Sequence, residues 1–180
     1  TSSLMSHYFD EIPDVGHAVR TIESRFNGIN FIFETDRGVF SRDRIDFGTE
    51  LLIQTFLKHV DKPQGTALDL GCGYGPVGIV LKRCFPWLNV ILSDINARAL
   101  ELAERNVRAN LIGDVTLVSA DGVPVEAFGA TYVLTNPPIR AGKKTVHRLF
   151  AESYSALAPQ GQLYVVIQKK QGAASAEKVI

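Results

Sequence analysis

Apolar and polar residues follow one rhythm in the first third of the chain and another afterwards. Ala18–Phe26 and Ile29–Thr35 read as strands on either side of Asn27-Gly28. That dipeptide is a strong hairpin signal, because a tight primed turn needs positive φ at both central positions. Asp36-Arg37-Gly38 reads as a second turn. Over Glu50–Val60, the spacing of Leu51, Leu52, Phe56, Leu57 and Val60 predicts a helix with one apolar face. From Thr66 onward short apolar runs alternate with helical periods. Strands are expected at Thr66–Leu70, Val90–Ser93, Thr116–Ser119, Tyr132–Thr135 and Gln162–Ile167. Helices are expected at Pro76–Cys84, Ala97–Asn110 and Lys143–Leu157, with Ala158-Pro159-Gln160-Gly161 as the turn after the last. Pro76 suits a first helical turn, where no amide donor is needed, and Asn96 is a natural N-cap. No repeat or low-complexity tract interrupts the pattern. The expected fold class is therefore α/β: a Rossmann-like, doubly wound, mostly parallel sheet covered on both faces, preceded by an N-terminal β-hairpin. Residues 1–180 are expected to form a single domain, with 1–47 as the hairpin extension and 48–180 as the α/β core.

Composition narrows the function classes. A chain of 180 residues can bury roughly 70% of its unfolded surface without disulfides or metals. Lys plus Arg and Asp plus Glu each number 19, giving zero net charge. That argues against nonspecific polyanion binding but leaves room for a local basic patch. Cys72 and Cys84 do not suggest a disulfide framework, so a reducing compartment is expected. His7, His17, His59 and His147 lack metal-ligand spacing, so no metal is expected. No apolar run approaches the roughly 20 residues of a membrane span. Thr1–Phe9 lacks the features of a signal peptide. A cytoplasmic protein with no membrane partner is the expectation; oligomeric state is not legible.

In a doubly wound sheet, ligands bind beyond the carboxyl ends of the strands, so the residues there carry the chemistry. The first core strand runs into Asp69-Leu70-Gly71-Cys72-Gly73-Tyr74-Gly75-Pro76-Val77-Gly78. Glycine permits the tight turn and close backbone approach, and the following helix start offers free amides to an anion. Asp94 ends the second strand, where a carboxylate can accept both hydroxyls of a ribose. Asp121 comes after the third, where it can accept from an adenine amine or simply start a turn. These residues suit an adenosine-containing cofactor without saying which. Gly73, Gly75 and Gly78, with Asp94, also satisfy the dinucleotide fingerprint. The fourth strand runs into Asn136-Pro137-Pro138-Ile139. Two prolines remove two donors and fix the chain, holding the Asn136 side chain and nearby carbonyls as rigid acceptors. Such acceptors suit an amino group. Bonds to Asn136 Oδ1 and the Pro137 carbonyl favour a tetrahedral nitrogen and aim its lone pair, a catalysis of positioning and electrostatics. The alternative is that Asn-Pro merely opens a turn. Arg140, Lys143, Lys144 and Arg148 come next, with no acidic residue among them. They read as a phosphate clamp or as a solvated helix face.

Together, Asp69–Gly78, Asp94, Asp121 and Asn136–Ile139 resemble the successive motifs of class I S-adenosylmethionine-dependent methyltransferases that act on amino groups. Gly38-Val39-Phe40-Ser41, Asp46-Phe47-Gly48-Thr49 and Asn136–Lys143 are similar to one branch of that family. The branch comprises the ribosomal RNA guanine methyltransferases that modify the 2-amino group in the small subunit, with their small single-domain bacterial relatives. The resemblance covers nearly the whole chain. It implies S-adenosylmethionine as cofactor, methyl transfer to an exocyclic amine, and ribosomal RNA as partner and substrate. It further implies that Asp69, Gly71, Cys72 and Gly73 surround the methionine part. Asp94 and Ile95 would lie at the ribose, and Ala120 and Asp121 at the adenine. Asn136, which also borders the cofactor, would act with Pro137 and Pro138 as the catalytic turn. Phe40, Ile139, Arg140 and Lys143 would contact the substrate. The chain departs from many relatives in two respects. Ile139 stands where they place an aromatic that stacks on a flipped base, so stacking is expected to be weaker or to come from elsewhere, with Phe40 as a candidate. Larger relatives carry a second, duplicated domain, in whose place only the hairpin is expected here. Three other readings compete: methylation of a protein glutamine or DNA adenine, a nucleotide-dependent oxidoreductase, and a non-catalytic cofactor-binding module.

Overall fold

Asn27 and Gly28 take φ values of 50° and 76°, and the turn they make folds β1 (Val19–Phe26) back along β2 (Ile29–Asp36) with Phe26 opposite Ile29. The computed structural model describes residues 19–36, 44–137, 141–168 and 174–179. Ala18, the Arg37-Gly38 part of the second expected turn, Val39, Phe40, Ser41, Pro138, Ile139 and Arg140 lie outside these residues. The hairpin is a two-stranded sheet of its own. It buries Ile22, Phe26, Phe31 and Phe33 in the same apolar cluster as the helices of the core.

Helix α1 spans Phe47–His59, starting three residues before the Glu50 expected from the apolar spacing. The start is set by Asp46, whose carboxylate accepts from the Gly48 and Thr49 amides. A polar cap leaves no mark on hydrophobic periodicity. The core then alternates as expected: β3 (Thr66–Leu70), α2 (Pro76–Cys84), β4 (Asn89–Asp94), α3 (Ala97–Ala109), β5 (Val115–Ser119), β6 (Ala130–Thr135), α4 (Gly142–Ala156) and β7 (Leu157–Gln168). A last strand, β8 (Ala174–Val179), closes the series. The sheet order is β5-β4-β3-β6-β7-β8, parallel except for β8 on β7. The chain walks outward from β3 through β4 to β5, then returns to β6 on the other side. The switch point therefore lies between β3 and β6.

Strands β7 and β8 differ from the pattern expected of the sequence. The segment Ala158–Gly161, expected as a turn, lies within β7. Pairing with β6 jumps from Ala130 opposite Leu157 to Tyr132 opposite Gln162. Gln160 takes φ 63° in the excess segment, so the turn-forming residues make a bulge in the strand. Strand β8 is not predicted by the sequence pattern, because Ala-Ser-Ala-Glu-Lys-Val has no alternation of large apolar residues.

Alternation along the central strands sends side chains into two cores. Ala67, Val90, Leu92, Tyr132 and Leu134 join the cluster under α1, α2, α3 and the hairpin. Leu68, Leu70, Ile91 and Val133 join a smaller cluster on the opposite face, against Leu149 and Phe150 of α4. The hairpin is fastened by two asparagines one turn apart at the end of α3. Asn106 Oδ1 accepts from the Glu34 amide at 2.7 Å, while its Nδ2 donates to the Glu34 carbonyl at 3.0 Å and the Tyr74 carbonyl at 2.8 Å. Asn110 repeats the pattern on Ile32, at 3.0 and 2.8 Å. Asn106 thereby ties the hairpin, α3 and the glycine-rich loop together.

Candidate active site

The ends of β3, β4, β5 and β6 open onto one cavity of about 420 Å³. Gly71, Gly73, Asp94, Ile95, Ala120, Asp121 and Asn136, all singled out in the sequence, lie on its wall. A smaller pocket of about 100 Å³ is lined by Asp46, Thr49, Asp69, Gly71, Cys72, Gly73 and Asn136 among others. The two spaces share Gly71, Gly73 and Asn136, so they adjoin, and Asn136 lies on the wall of both. The wall of the larger one is largely apolar, through Ile95, Ala99, Leu102 and Leu149; the smaller is rich in carboxylate. A more voluminous groove, about 510 Å³ between the hairpin and the end of α3, is open and remote from the strand ends. It holds none of these residues.

Local structure explains how the loop keeps this shape. Gly75, the N-cap residue of α2, has φ 98°, a conformation that glycine adopts freely. A Cβ on Gly78 would lie 2.9 Å from Leu92 Cγ, so its bare backbone lets α2 close onto β4. Asp69 Oδ2 accepts from the Gly78 amide at 2.9 Å. Asp94 Oδ2 accepts from Gly73 at 2.8 Å and Oδ1 from Asn96 at 2.8 Å. Both carboxylates thus brace backbone as well as face the site. The Cys72 amide donates to the Ser93 carbonyl at 2.8 Å, and Ala120 to the Asp94 carbonyl at 3.2 Å, joining neighbouring strand ends.

Burial dominates the electrostatics. Asp69 is buried, and desolvation, with Asp94 adding to it, raises its pKa to about 7 against the opposing Gly78 hydrogen bond. Burial also pushes the Cys72 thiol up, helped by the charges of Asp69 and Asp94. Cys72 is therefore an un-ionised loop residue without the character of a nucleophile. Ser93 Oγ, buried on the wall of the larger cavity, has no hydrogen-bond partner among the described residues.

At the end of β6, Asn136 Nδ2 lies 3.3 Å from Asp46 Oδ2 and 3.4 Å from Thr49 Oγ1. Its Oδ1 has no hydrogen bond to a described residue. Pro137 comes directly after it. Asp46 belongs to a segment that carries the family resemblance, but nothing in the sequence assigns it to the site; only the tertiary contact gives it a place. Asp36 and Arg98 are likewise invisible to a reading of strand ends. Asp36, fully buried at the end of β2, pairs with Arg98 Nε at 3.2 Å, and both line the larger cavity.

One expectation is corrected. In sequence, Arg148 groups with a phosphate clamp because no acid lies among its basic neighbours. In the fold it donates to Asp121 Oδ1 at 2.6 Å and to Glu152 Oε2 at 3.1 Å. Asp121 stands 27 positions earlier in the chain, beyond the reach of a linear reading. The Arg148 pKa is raised, chiefly by its hydrogen bond to Asp121 and then by that to Glu152. Asp121 accordingly sits on the cavity rim with one oxygen engaged by arginine. Lys143 and Lys144 are exposed in the first turn of α4, away from the cavity wall, with no ion pair to a described residue. Among the described residues no three His, Cys, Asp or Glu side chains gather as a metal site, and no helix is long and apolar enough to cross a membrane.

The switch point of a mostly parallel sheet is where such folds hold a ligand, and a lining of glycine, carboxylate and apolar side chains suits one that contains adenosine. Comparison with known proteins narrows the class. The methyltransferase small domain family matches residues 30–179, and the chain belongs to it. It is 42% identical to the uncharacterized protein YbxB of Bacillus subtilis (strain 168), covering 96% of this chain and 86% of that one. It is 37% identical to ribosomal RNA small subunit methyltransferase C of Actinobacillus pleuropneumoniae serotype 7, over 71% of this chain but only 40% of that protein. In fold it is similar to the ribosomal protein L11 methylase of Lactobacillus delbrueckii subsp. bulgaricus. That match has a TM-score of 0.59 and 21% identity, and covers 68% of this chain and 64% of that one. The protein is an S-adenosylmethionine-dependent methyltransferase. The site suits that cofactor: an apolar space bordered by a carboxylate and an unpaired serine hydroxyl fits adenosine, and the carboxylate-lined pocket fits an amino-acid end.

Proposed function

We propose that the protein methylates an exocyclic amino group, and that the acceptor is the 2-amino group of a guanine in ribosomal RNA. The observation that carries the amine assignment is Asn136 on the wall of both pockets, with Nδ2 engaged by the protein and Oδ1 left over. The RNA assignment rests on likeness to ribosomal RNA small subunit methyltransferase C and on the exposed lysines of α4.

Bound S-adenosylmethionine supplies an electrophilic methyl group; the residues of the chain do the rest. Asp94 would accept from the ribose hydroxyls, with Ile95, Ala120 and Asp121 around the base. Asp69, Gly71, Cys72 and Gly73 would hold the methionine end, with Asp69 toward the ammonium. Asn136 Oδ1 and the Pro137 carbonyl accept from the two hydrogens of the target amine. An exocyclic amine is a poor nucleophile while its lone pair is delocalised into the ring. Two fixed acceptors favour the tetrahedral nitrogen and stabilise the positive charge that develops on it. Pro138 stiffens the turn, Phe40 and Ile139 contact the base, and Arg140 and Lys143 contact phosphate. A cytoplasmic setting is implied by that substrate.

The test is tritium transfer from labelled cofactor to ribosomal RNA, free and in subunits, followed by nucleoside analysis. Label in 2-methylamino-guanosine is expected. Asn136→Ala should lower turnover by about 100-fold or more, the scale for a preorganised polar group, and leave cofactor affinity nearly intact. Label in protein or DNA instead would refute the substrate, and normal turnover by the variant would refute the amine-holding role.

A further inference from the structure

The carboxamide of asparagine has two faces of opposite use. With Oδ1 toward the substrate it accepts from an amine; turned over, it presents a donor and repels the same amine. We propose that Asp46, as a positioning residue, fixes this choice from the start of α1, with Thr49 and Gly48 completing the seat. This rests on the reading that Asn136 holds the target amine.

Both neighbours of Asn136 Nδ2 can only accept. Asp46 Oδ2, at 3.3 Å, is a carboxylate oxygen. Thr49 has a single hydroxyl hydrogen and gives it to Asp46 Oδ2 at 2.7 Å, so toward Asn136, at 3.4 Å, it offers a lone pair. Turning the amide over would press Oδ1 against a carboxylate and a lone pair. The seat is itself held. Asp46 is anchored as N-cap by the Gly48 and Thr49 amides, both at 3.2 Å. Gly48 is the close-approach point: a Cβ there would lie 3.2 Å from Asn136 Nδ2 and 3.3 Å from Val166 Cγ1. A segment 90 positions away in sequence thus sets the polarity of the acceptor site.

A double-mutant cycle on the full chain tests this. Asp46→Asn keeps an amide oxygen to cap Gly48 but puts a donor nitrogen in place of the Oδ2 that accepts from Thr49 and Asn136. Asn136→Asp sets two carboxylates side by side. Each should lower kcat by about tenfold or more, with KM for the cofactor changing by less than about threefold. Combining them lets the amide nitrogen at position 46 donate to the carboxylate at position 136, with the Thr49 bonds to Oδ2 given up in both backgrounds, and leaves a carboxylate oxygen for the amine. The double variant should therefore turn over about tenfold or more above the product of the single effects. Multiplicative effects would overturn the proposal. A second measurement needs no substrate. The ¹H–¹⁵N carboxamide signals of Asn136, assigned by their loss in Asn136→Asp, should move in Asp46→Asn and in Thr49→Val and be retained in Thr49→Ser. Unmoved signals would also overturn it. If the protein methylates no amine at all, the function reading fails, and these signals still decide the orientation.

Discussion

Asp69→Asn isolates the cost of a buried carboxyl on the wall of the smaller pocket. Asp69 is only 5% exposed, and burial lifts its pKa from the ordinary 3.8 to about 7. Between those values the folded protein holds a proton that the unfolded chain has released. The native state binds more protons, so stability falls as pH rises through this window and levels off above pH 7. The rise is roughly 3 pH units at about 1.4 kcal/mol each, so on the order of 4 kcal/mol is lost by pH 8 relative to pH 4. Asparagine has nearly the same shape and retains an acceptor for the Gly78 amide, but carries no charge. Urea unfolding of both proteins at pH 4, 5, 6, 7 and 8, free of cofactor, gives their stability difference at each pH. That difference should shift in favour of the variant by about 1 kcal/mol or more per unit up to pH 7, then stop. In the proposed site the same change should weaken cofactor binding, since an ammonium placed against Asp69 would favour its ionised form. A stability difference independent of pH would refute the reasoning, because the native carboxyl would then be ionised as readily as the unfolded one.

Gly78→Ala should cost about 1–3 kcal/mol of stability, read as a lower Tm, because its Cβ meets Leu92 at 2.9 Å and forces α2 off β4. Asn106→Ala strips partners from the Glu34 amide and from the Glu34 and Tyr74 carbonyls. A loss of about 3 kcal/mol is expected, with faster hydrogen exchange in β2 than in β3. Lys143→Ala with Lys144→Ala should weaken RNA binding and flatten its log–log salt dependence by about 0.7 for each phosphate no longer neutralised. Arg148→Ala should leave that slope unchanged, since its guanidinium is committed to Asp121 and Glu152. Parallel salt plots for the lysine variant would show that these cations do not meet phosphate.

The features that the sequence determined by itself are those that depend on neighbours along the chain. The Asn27-Gly28 hairpin, the alternation from Thr66 to Ile167, the glycine-rich turn and the Asn136-Pro137 turn are all local. Each is decided by side-chain period or by the torsional limits of Gly and Pro. A doubly wound sheet gathers its strand ends at one edge. The residues just beyond each strand were therefore enough to place Asp94, Ala120, Asp121 and Asn136 on one cavity wall. Tertiary structure decided the partners. Whether Arg148 is a bare cation depends on an aspartate from another loop. Whether Asp69 is charged at neutral pH depends on how much water the fold removes. Strand β8 gains its partner by pairing with the outer edge of β7 rather than from any pattern of its own. Which partner the Asn136 carboxamide finds inside the protein depends on a carboxylate 90 positions away. Hydrogen bonds and desolvation act through space over a few ångströms, and only folding brings such residues within that range.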